Sequence, residues 1–178
     1  SGDWSSDVCS SDLPEIATQV REVIIMGGAV DSSGNVSPAA EANIYNDPEA
    51  ADIVFAANWP MTLFPLDVTE QLLMDNSYLE QIAASNKPGS SMLYDAGQFY
   101  REFYENRRQQ PGFCAHDVAP IAYCLWPELF SFTHGSICVI KEGIAKGMTI
   151  QDKRGKWHED NSWSTRRPVK VASAIATQ

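Results

Sequence analysis

The sequence predicts an α/β fold in which a mostly parallel sheet is flanked by helices. Two short apolar runs, Val23–Met26 and Met61–Leu66, have the composition of strands that are buried on both faces. Between them, Asp47-Pro48-Glu49 combines an N-cap aspartate, a proline at the first helical position and an acid in the first turn, which predicts the start of a helix. Strands that alternate with helices are typical of parallel sheets.

The first half of the chain divides into strands, loops and helices. The first strand ends at Gly27-Gly28, because paired glycines interrupt an apolar run. In order, we then predict a loop over Asp31–Asn46, a helix from Asp47 to about Ala57, a strand over Met61–Leu66, an amphipathic helix over Thr69–Ala84, a turn at Lys87-Pro88-Gly89 and an aromatic-rich helix over Ser91–Arg108.

The second half is predicted to end in short strands. In order, we predict a helix over residues 117–126 that Pro127 closes, a strand pair over Ile137–Lys141 and Met148–Gln151, and a last strand over Val169–Ala172. These final strands are interpreted as possible antiparallel additions to the parallel sheet. The charged stretch Lys153–Arg167 is interpreted as a solvated loop.

Charge and composition exclude several classes of protein. The 178 residues include 13 Lys and Arg against 23 Asp and Glu, which gives a formal net charge of -10. Such a chain is not expected to bind nucleic acid, because phosphate contacts need a basic face. No apolar run approaches the roughly 20 residues of a membrane helix, and no signal-peptide pattern is visible. We therefore predict a soluble, cytoplasmic protein with neither nucleic-acid nor membrane partners.

Residues 1–13 differ from the rest of the chain. They read SGDWSSDVCSSDL and have neither helical nor strand periodicity. The string resembles the translation of a sequencing-library adapter read in frame, and a native disordered arm is the alternative. We therefore interpret residues 1–13 as a non-native or disordered arm and residues 14–178 as a partial domain.

Polar side chains follow the first predicted strand. Asn35, Glu41 and Asn43 lie between that strand and the helix that begins at Asp47. Loops at the carboxyl ends of strands carry the ligand sites of open α/β sheets, and amide and carboxylate groups suit a ligand rich in hydroxyl groups, such as a sugar. The alternative is that Asn35 and Asn43 only satisfy hydrogen bonds within loop turns.

His116-Asp117 precedes the helix predicted over residues 117–126. Asp117 is either the N-cap of that helix or an oxygen ligand for a hard cation. His116 is an acid near neutral pH. Upstream, Tyr100 and Tyr104 share one face of the aromatic-rich helix, where they either belong to the core or line a pocket that stacks on a flat base.

Four motifs occur in a fixed order: Met26-Gly27-Gly28, then GNVSPAAEANIYNDPEAA over Gly34–Ala51, then Pro65-Leu66-Asp67-Val68-Thr69, then His116-Asp117. Each is weak alone, whereas the ordered set resembles the inosine-uridine-preferring nucleoside hydrolases over roughly Val23 to the C-terminus. This resemblance implies a nucleoside hydrolase-like, Rossmann-like fold. It also implies hydrolysis of a ribonucleoside by water to ribose and a free base.

The resemblance implies roles for the substrate-facing residues. Asn35, Glu41 and Asn43 match residues that hold the ribose hydroxyls in the family. Tyr100 and Tyr104 fall near the helix that covers the base. Ala42 stands where the family usually has an aromatic residue, so the wall of the pocket differs there.

The resemblance also implies a cofactor and an acid. His116 matches the residue that protonates the departing base. Asp117 matches a ligand of the Ca²⁺ ion that holds the ribose diol and the attacking water. For the full-length protein, the family resemblance further implies a homo-oligomer.

A feature of the family is missing from this sequence. The family takes most of its Ca²⁺ carboxylates from an aspartate cluster of the form DxDxxxDD after its first strand, and this chain has no such cluster. We therefore expect a C-terminal fragment, truncated at the N-terminus, that is inactive by itself. The alternative is a non-catalytic module that binds a sugar or nucleoside. An in-frame aspartate cluster in the genomic DNA upstream of the Pro14 codon would favour the hydrolase, and a native start codon near residue 1 would favour the module.

Overall fold

The computed structural model of the chain describes residues 14–108, 111–154, 162–163 and 165–176. Helices and strands alternate along most of this length. In chain order they are a 3-10 helix Pro14–Thr18, β1 Val23–Met26, α1 Ala42–Asn46, α2 Pro48–Ala56, β2 Met61–Phe64, α3 Leu66–Thr69, β3 Leu73–Met74, α4 Asn76–Ala84, α5 Ser90–Arg108, β4 Phe113–Cys114, α6 Val118–Leu125, a 3-10 helix Pro127–Leu129, β5 Phe130–Gly135, β6 Ile137–Val139, β7 Thr149–Gln151 and β8 Val169–Ile175.

The main sheet has the strand order β1, β2, β8, β5. β1 is parallel to β2 and β2 is parallel to β8, whereas β5 is antiparallel to β8. The register places Ile25 opposite Leu63 and Leu63 opposite Val171, so these apolar side chains form one row across the sheet. β6 and β7 form a separate antiparallel pair. The mostly parallel α/β sheet that the sequence predicts is therefore confirmed.

One face of the main sheet carries the larger apolar core. Leu63, Val169 and Val171 are almost completely buried there. They belong to one cluster with residues of α1, α2 and β6, namely Ile44, Val54, Phe55, Ile137 and Val139. Complete burial of such a side chain contributes about 1.5–3 kcal/mol. This cluster is therefore a major stabilising contact between the sheet and the helices that follow β1.

The opposite face of the sheet is aromatic. Phe64 of β2 lies 5.1 Å from Phe130 and 6.2 Å from Phe132 of β5, between ring centroids. Tyr123 of α6 lies 5.4 Å from Phe64. Lys170 of β8 lies 4.1 Å from the centre of the Phe132 ring and donates a 2.8 Å hydrogen bond to the Tyr123 hydroxyl. α6 therefore packs on this face through ring and cation–π contacts.

Residues Thr69–His116 form a compact unit of their own, and the other described residues form a second one. Within the unit Thr69–His116, β3 pairs antiparallel with β4, and α4 packs against α5. Leu79, Tyr104 and Phe113 are its buried core residues. Gly97 permits the close approach of the two helices, because a Cβ there would lie 2.5 Å from a methyl group of Leu79.

Two predictions for the first half are wrong in part. The loop predicted over Asp31–Asn46 contains α1, because the Glu41 carboxylate accepts the first N–H groups of that helix. The helix predicted over Thr69–Ala84 is divided among α3, β3 and α4. α4 begins only after Asp75, whose carboxylate accepts the N–H of Tyr78, and this hydrogen bond lowers the pKa of Asp75.

Most other predicted elements are confirmed. β1, α2, α5, α6, β8 and the β6–β7 pair occur where the sequence predicts them, while the strand over Met61–Leu66 ends at Phe64. β5 is not predicted from the sequence. Its signal is the short alternation of Phe130 and Phe132 with polar residues, which directly follows the turn at Pro127.

Some predictions fall outside the described part of the chain. Residues 1–13, and residues 155–161 and 164 of the predicted charged loop, are among them. Within the described residues, no helix has the length and apolar character needed to cross a bilayer.

Arg166 contradicts the interpretation of Lys153–Arg167 as a solvated loop. Its guanidinium donates hydrogen bonds of 2.8 and 2.9 Å to the two carboxylate oxygens of Asp52, and both side chains are largely buried. Asp52 also accepts the N–H of Val139 and pairs with Lys141 at 3.0 Å. Burial alone would raise the pKa of Asp52, but these partners outweigh burial, so its pKa lies below the ordinary value.

We expect Asp52→Ala to lower the free energy of unfolding by about 3 kcal/mol, because it leaves the largely buried guanidinium of Arg166 without its partner. Urea denaturation at neutral pH measures this loss. Since folding lowers the pKa of Asp52, its stabilisation is present above about pH 4 and is lost as the pH falls through the folded-state pKa. The difference between parent and variant should therefore shrink in acid.

Asp31→Ala is the matched control for this prediction. Asp31 pairs with Lys153, and both side chains are exposed. Removal of an exposed pair changes stability by about 0.5 kcal/mol or less. Equal losses in the two variants would contradict a special role for the Asp52–Arg166 pair.

Candidate functional site

The carboxyl ends of β1 and β2 meet at one edge of the main sheet. Gly27 N–H donates to the carbonyl of Phe64 at 3.2 Å, and Leu66 N–H donates to the carbonyl of Gly28 at 2.9 Å. Ligand sites of open α/β sheets lie outside such an edge. The loops that leave this edge are therefore expected to carry the ligand-binding residues.

Glu41 is buried at this edge, with 2% of its surface exposed. Its Oε2 accepts the backbone N–H groups of Gly28 at 2.9 Å and Ile44 at 3.2 Å, and its Oε1 accepts that of Asn43 at 2.8 Å. A buried carboxylate is costly unless donors surround it, and these backbone groups provide them. Glu41 thus caps α1 and joins this helix to the loop after β1.

Asn35, in the loop after β1, and Asn43, in the first turn of α1, are both exposed. Asn35 Oδ1 accepts the N–H of Ala42 at 2.9 Å. Asn43 Nδ2 donates to the carbonyl of Met26, the last residue of β1, at 3.4 Å. Each amide therefore makes a hydrogen bond within the protein and has a second polar atom that can bind a ligand.

Asp67 is a further polar residue of this edge and is not among the site residues predicted from the sequence. Its carboxylate accepts the N–H groups of Val30, Asp31 and Ser32 at 2.9, 2.7 and 3.1 Å. Successive backbone N–H groups form a concave binding place for an anion, which Asp67 fills from α3. Asp67 therefore fixes the start of the loop that carries Asn35. Its signal in the sequence is an acid that directly follows a buried strand.

Asp117 occupies the N-cap position of α6 but does not cap it. Its side chain makes no capping hydrogen bond, and its backbone already has helical angles, with φ −73° and ψ −9°. The side chain is exposed. The N-cap alternative is therefore wrong for the carboxylate of Asp117, which is free to bind a ligand.

His116 lies between polar partners in the unit Thr69–His116. Its Nδ1 is 2.8 Å from Thr69 Oγ1, and its Nε2 is 3.5 Å from the hydroxyl oxygen of Tyr104. Tyr104 is buried, as the core alternative predicts, whereas Tyr100 is 44% exposed. The two tyrosine rings are 5.2 Å apart. Tyr100 therefore retains ring surface that can stack on a flat ligand.

The predicted site residues thus divide between the two compact units: one contains Asn35, Glu41, Asn43 and Asp117, and the other contains Tyr100, Tyr104 and His116. Thr69, which is not among the site residues predicted from the sequence, contacts His116. No local pattern marks a threonine as the partner of a histidine 47 residues away.

The described residues do not form a complete metal site. No cluster of three or more His, Cys, Asp or Glu side chains that could hold a metal ion occurs among them. Ca²⁺ takes about six to eight oxygen ligands, whereas the sequence predicts one carboxylate for such a site, that of Asp117. The donors in the described part of the chain therefore do not fit a calcium ion by themselves.

Comparison with known proteins finds a family that matches nearly the whole chain. The inosine-uridine preferring nucleoside hydrolase family matches residues 8–178. A probable uridine nucleosidase of Oryza sativa subsp. japonica is 37% identical over 163 residues, which cover 91% of this chain and 50% of that protein. The chain spans about half the length of the curated relatives it matches.

Two solved structures share the fold. A plant nucleoside hydrolase has a TM-score of 0.90 at 34% identity, over 95% of this chain and 54% of that chain. A purine-preferring ribonucleoside hydrolase from Gardnerella vaginalis has a TM-score of 0.82 at 31% identity, over 95% of this chain and 52% of that chain. The fold expected from the family resemblance is therefore confirmed.

We expect Gly28→Ala to destabilise the loop that Glu41 holds. Gly28 has a φ of +76°, and a Cβ there would lie 2.8 Å from Thr149 Oγ1. Gly143→Ala is the matched control, because its φ is +78° and nothing lies within 4 Å of an added Cβ. The control should lose about 1 kcal/mol through backbone strain alone. Gly28→Ala should lose about 1–3 kcal/mol more through crowding.

Urea denaturation of the two variants measures this difference. Equal losses at Gly28 and Gly143 would mean that the loop relaxes away from Thr149 at little cost, which would contradict the close packing described above.

Proposed function

Because the chain belongs to the inosine-uridine preferring nucleoside hydrolase family, we propose that the whole protein hydrolyses the N-glycosidic bond of a ribonucleoside to ribose and a free base. The observation that carries this proposal is the group Asn35, Glu41 and Asn43 at the carboxyl edge of a parallel sheet. A probable uridine nucleosidase and a purine-preferring ribonucleoside hydrolase are among the relatives, so uridine and inosine are the substrates to assay.

In this proposal Glu41 stabilises the charge that develops on the ribose. Cleavage of the bond gives the sugar oxocarbenium character, and a fixed carboxylate nearby lowers the energy of that state. Oε2 accepts two backbone N–H groups, whereas Oε1 accepts that of Asn43 and has capacity for one ribose hydroxyl. Asn35 and Asn43 bind further hydroxyl groups through their exposed amides.

In this proposal His116 is the general acid. A purine or uracil leaves poorly as an anion, so the nitrogen that departs from the ribose needs a proton, and His116 supplies it. The exposed ring surface of Tyr100 stacks on the base. The hydroxyl group of Tyr104 lies next to Nε2 of His116, the proposed acid.

The cofactor and the assembly are further parts of the proposal. We propose Ca²⁺ as the cofactor of the whole protein, with Asp117 as one ligand. Since the described residues contain no cluster of ligands, the support for calcium is the family resemblance. A homo-oligomer and a cytoplasmic location stay predictions from the resemblance and the composition.

The leaving group tests the role of His116. In the whole protein, His116→Ala should slow hydrolysis of uridine or inosine by about 10²–10⁴-fold, because the base then departs without a proton. A nitrophenolate needs no proton to depart, so hydrolysis of p-nitrophenyl riboside should change little. Steady-state kinetics with both substrates measures the contrast. Equal losses on the two substrates would mean that His116 only shapes the site.

Glu41→Gln is the comparison variant for this experiment. It removes a charge that acts on the ribose, and the added amide cannot accept all the backbone hydrogen bonds of the carboxylate. Activity should therefore fall on both substrates. Tight nucleoside binding by the parent protein without any turnover would contradict the hydrolase and favour a binding module.

Calcium binding is tested on the 178-residue chain itself. Affinity depends largely on the number and charge of the oxygen ligands, so the chain should show no saturable Ca²⁺ binding in the micromolar range. Isothermal titration with calcium chloride measures this, and Asp117→Asn should give the same heats. Micromolar binding that Asp117→Asn abolishes would show that these residues form a site, contrary to expectation.

A further inference from the structure

Thr69 is the last residue of α3 and is completely buried, with 0% of its surface exposed. Its hydroxyl oxygen lies 2.8 Å from Nδ1 of His116. Most buried hydroxyl groups in proteins are hydrogen bonded, and a β-branched side chain has few available rotamers. Thr69 is therefore a fixed hydrogen-bond partner for one ring nitrogen of His116.

Backbone hydrogen bonds hold both ends of this contact. Leu72 N–H donates to the carbonyl of Thr69 at 3.2 Å, and Ala115 N–H donates to the carbonyl of Leu72 at 3.0 Å. The segment after Thr69 is thus joined to the residue that precedes His116. Main-chain hydrogen bonds therefore fix the backbone next to Thr69 and next to His116, and so hold the two side chains in contact.

The two ring nitrogens of His116 have unequal partners. The 2.8 Å contact at Nδ1 has the length of a good hydrogen bond, whereas the 3.5 Å contact between Nε2 and the Tyr104 hydroxyl is at the long limit. A phenol hydroxyl donates to a ring nitrogen that carries no proton. Both contacts are therefore compatible with a neutral ring whose proton is on Nδ1.

We propose that Thr69 is a positioning residue for His116, an inference that rests on the proposed hydrolase function. Thr69 Oγ1 accepts the Nδ1–H of His116 both before and after the ring gives up its acidic proton. The bond that breaks is Nε2–H, the nitrogen of the departing base receives that proton, and Nδ1–H stays intact. Because Nδ1–H is held, the plane of the ring is fixed and Nε2 keeps one direction.

The tautomer of His116 tests this proposal. Long-range proton–nitrogen NMR spectra of the labelled chain, at a pH well above the ordinary histidine pKa of about 6.5, show which nitrogen carries the proton of the neutral ring. The chain has 3 histidines, and the signals that disappear in His116→Gln are those of His116. We expect the Nδ1–H tautomer in the parent and in Thr69→Ser, which keeps the hydroxyl, and a shift toward Nε2–H in Thr69→Val, which lacks it.

Two results overturn the proposal: the Nε2–H tautomer in the parent chain, or an unchanged Nδ1–H tautomer in a folded Thr69→Val chain. If Thr69→Val does not fold, Tyr104→Phe gives the comparison. An unchanged Nδ1–H tautomer in Tyr104→Phe supports Thr69 as the residue that sets it. Loss of that tautomer in Tyr104→Phe assigns the effect to Tyr104 and overturns the proposal.

Kinetics of the whole protein separate this inference from the function on which it rests. Thr69→Val should lower kcat for uridine or inosine by about 10- to 100-fold with little change in KM, leave p-nitrophenyl riboside nearly unaffected, and be rescued by Thr69→Ser. Equal losses on both kinds of substrate overturn the positioning role alone. A parent protein that hydrolyses no nucleoside overturns the proposed function, while the NMR result on Thr69 still stands.

Discussion

A carboxylate inside a protein needs several donors, and Glu41 obtains them from backbone groups on two sides. Gly28 N–H comes from the loop that follows β1, and the N–H groups of Asn43 and Ile44 come from the start of α1. The charge is therefore satisfied only when this loop and α1 lie together. α1 has 5 residues, too few for a stable isolated helix, so its existence depends on this cap.

Asp67, in the helix α3 that follows β2, imposes a similar constraint. Its carboxylate accepts the N–H groups of Val30, Asp31 and Ser32. Asp67 therefore holds the start of the loop between β1 and α1, and Glu41 holds its end. The exposed amide of Asn35 lies between these two anchors. A ligand that binds there meets groups already in place, which reduces the entropy lost on binding. The hydrogen bonds that hold Glu41 in place are thus compatible with the ligand-binding role proposed for it, because they orient its carboxylate.

The sequence predicts elements whose signals are local. The apolar run of β1, and the cap and proline at Asp47-Pro48, each specify an element without reference to distant residues. The break between α3 and α4 is different, because it depends on β3 pairing with a strand some forty residues later. The Asp52–Arg166 pair and the Thr69–His116 contact likewise cannot be predicted from the local sequence, because no motif near any of these residues indicates its partner. The family resemblance implies roles for the predicted site residues, whereas their hydrogen-bond partners within the protein depend on the fold.

The position of β8 has a consequence for biosynthesis. This strand lies between β2 and β5 in the sheet, although it follows both in the chain, and its register pairs Thr62 with Lys170. A ribosome therefore releases β2 and β5 well before the strand that joins them. During that interval β2 has an unpaired edge, and long-range closure of this kind is slow. The nascent chain is thus prone to aggregate, and dependent on chaperones, until β8 has been synthesised.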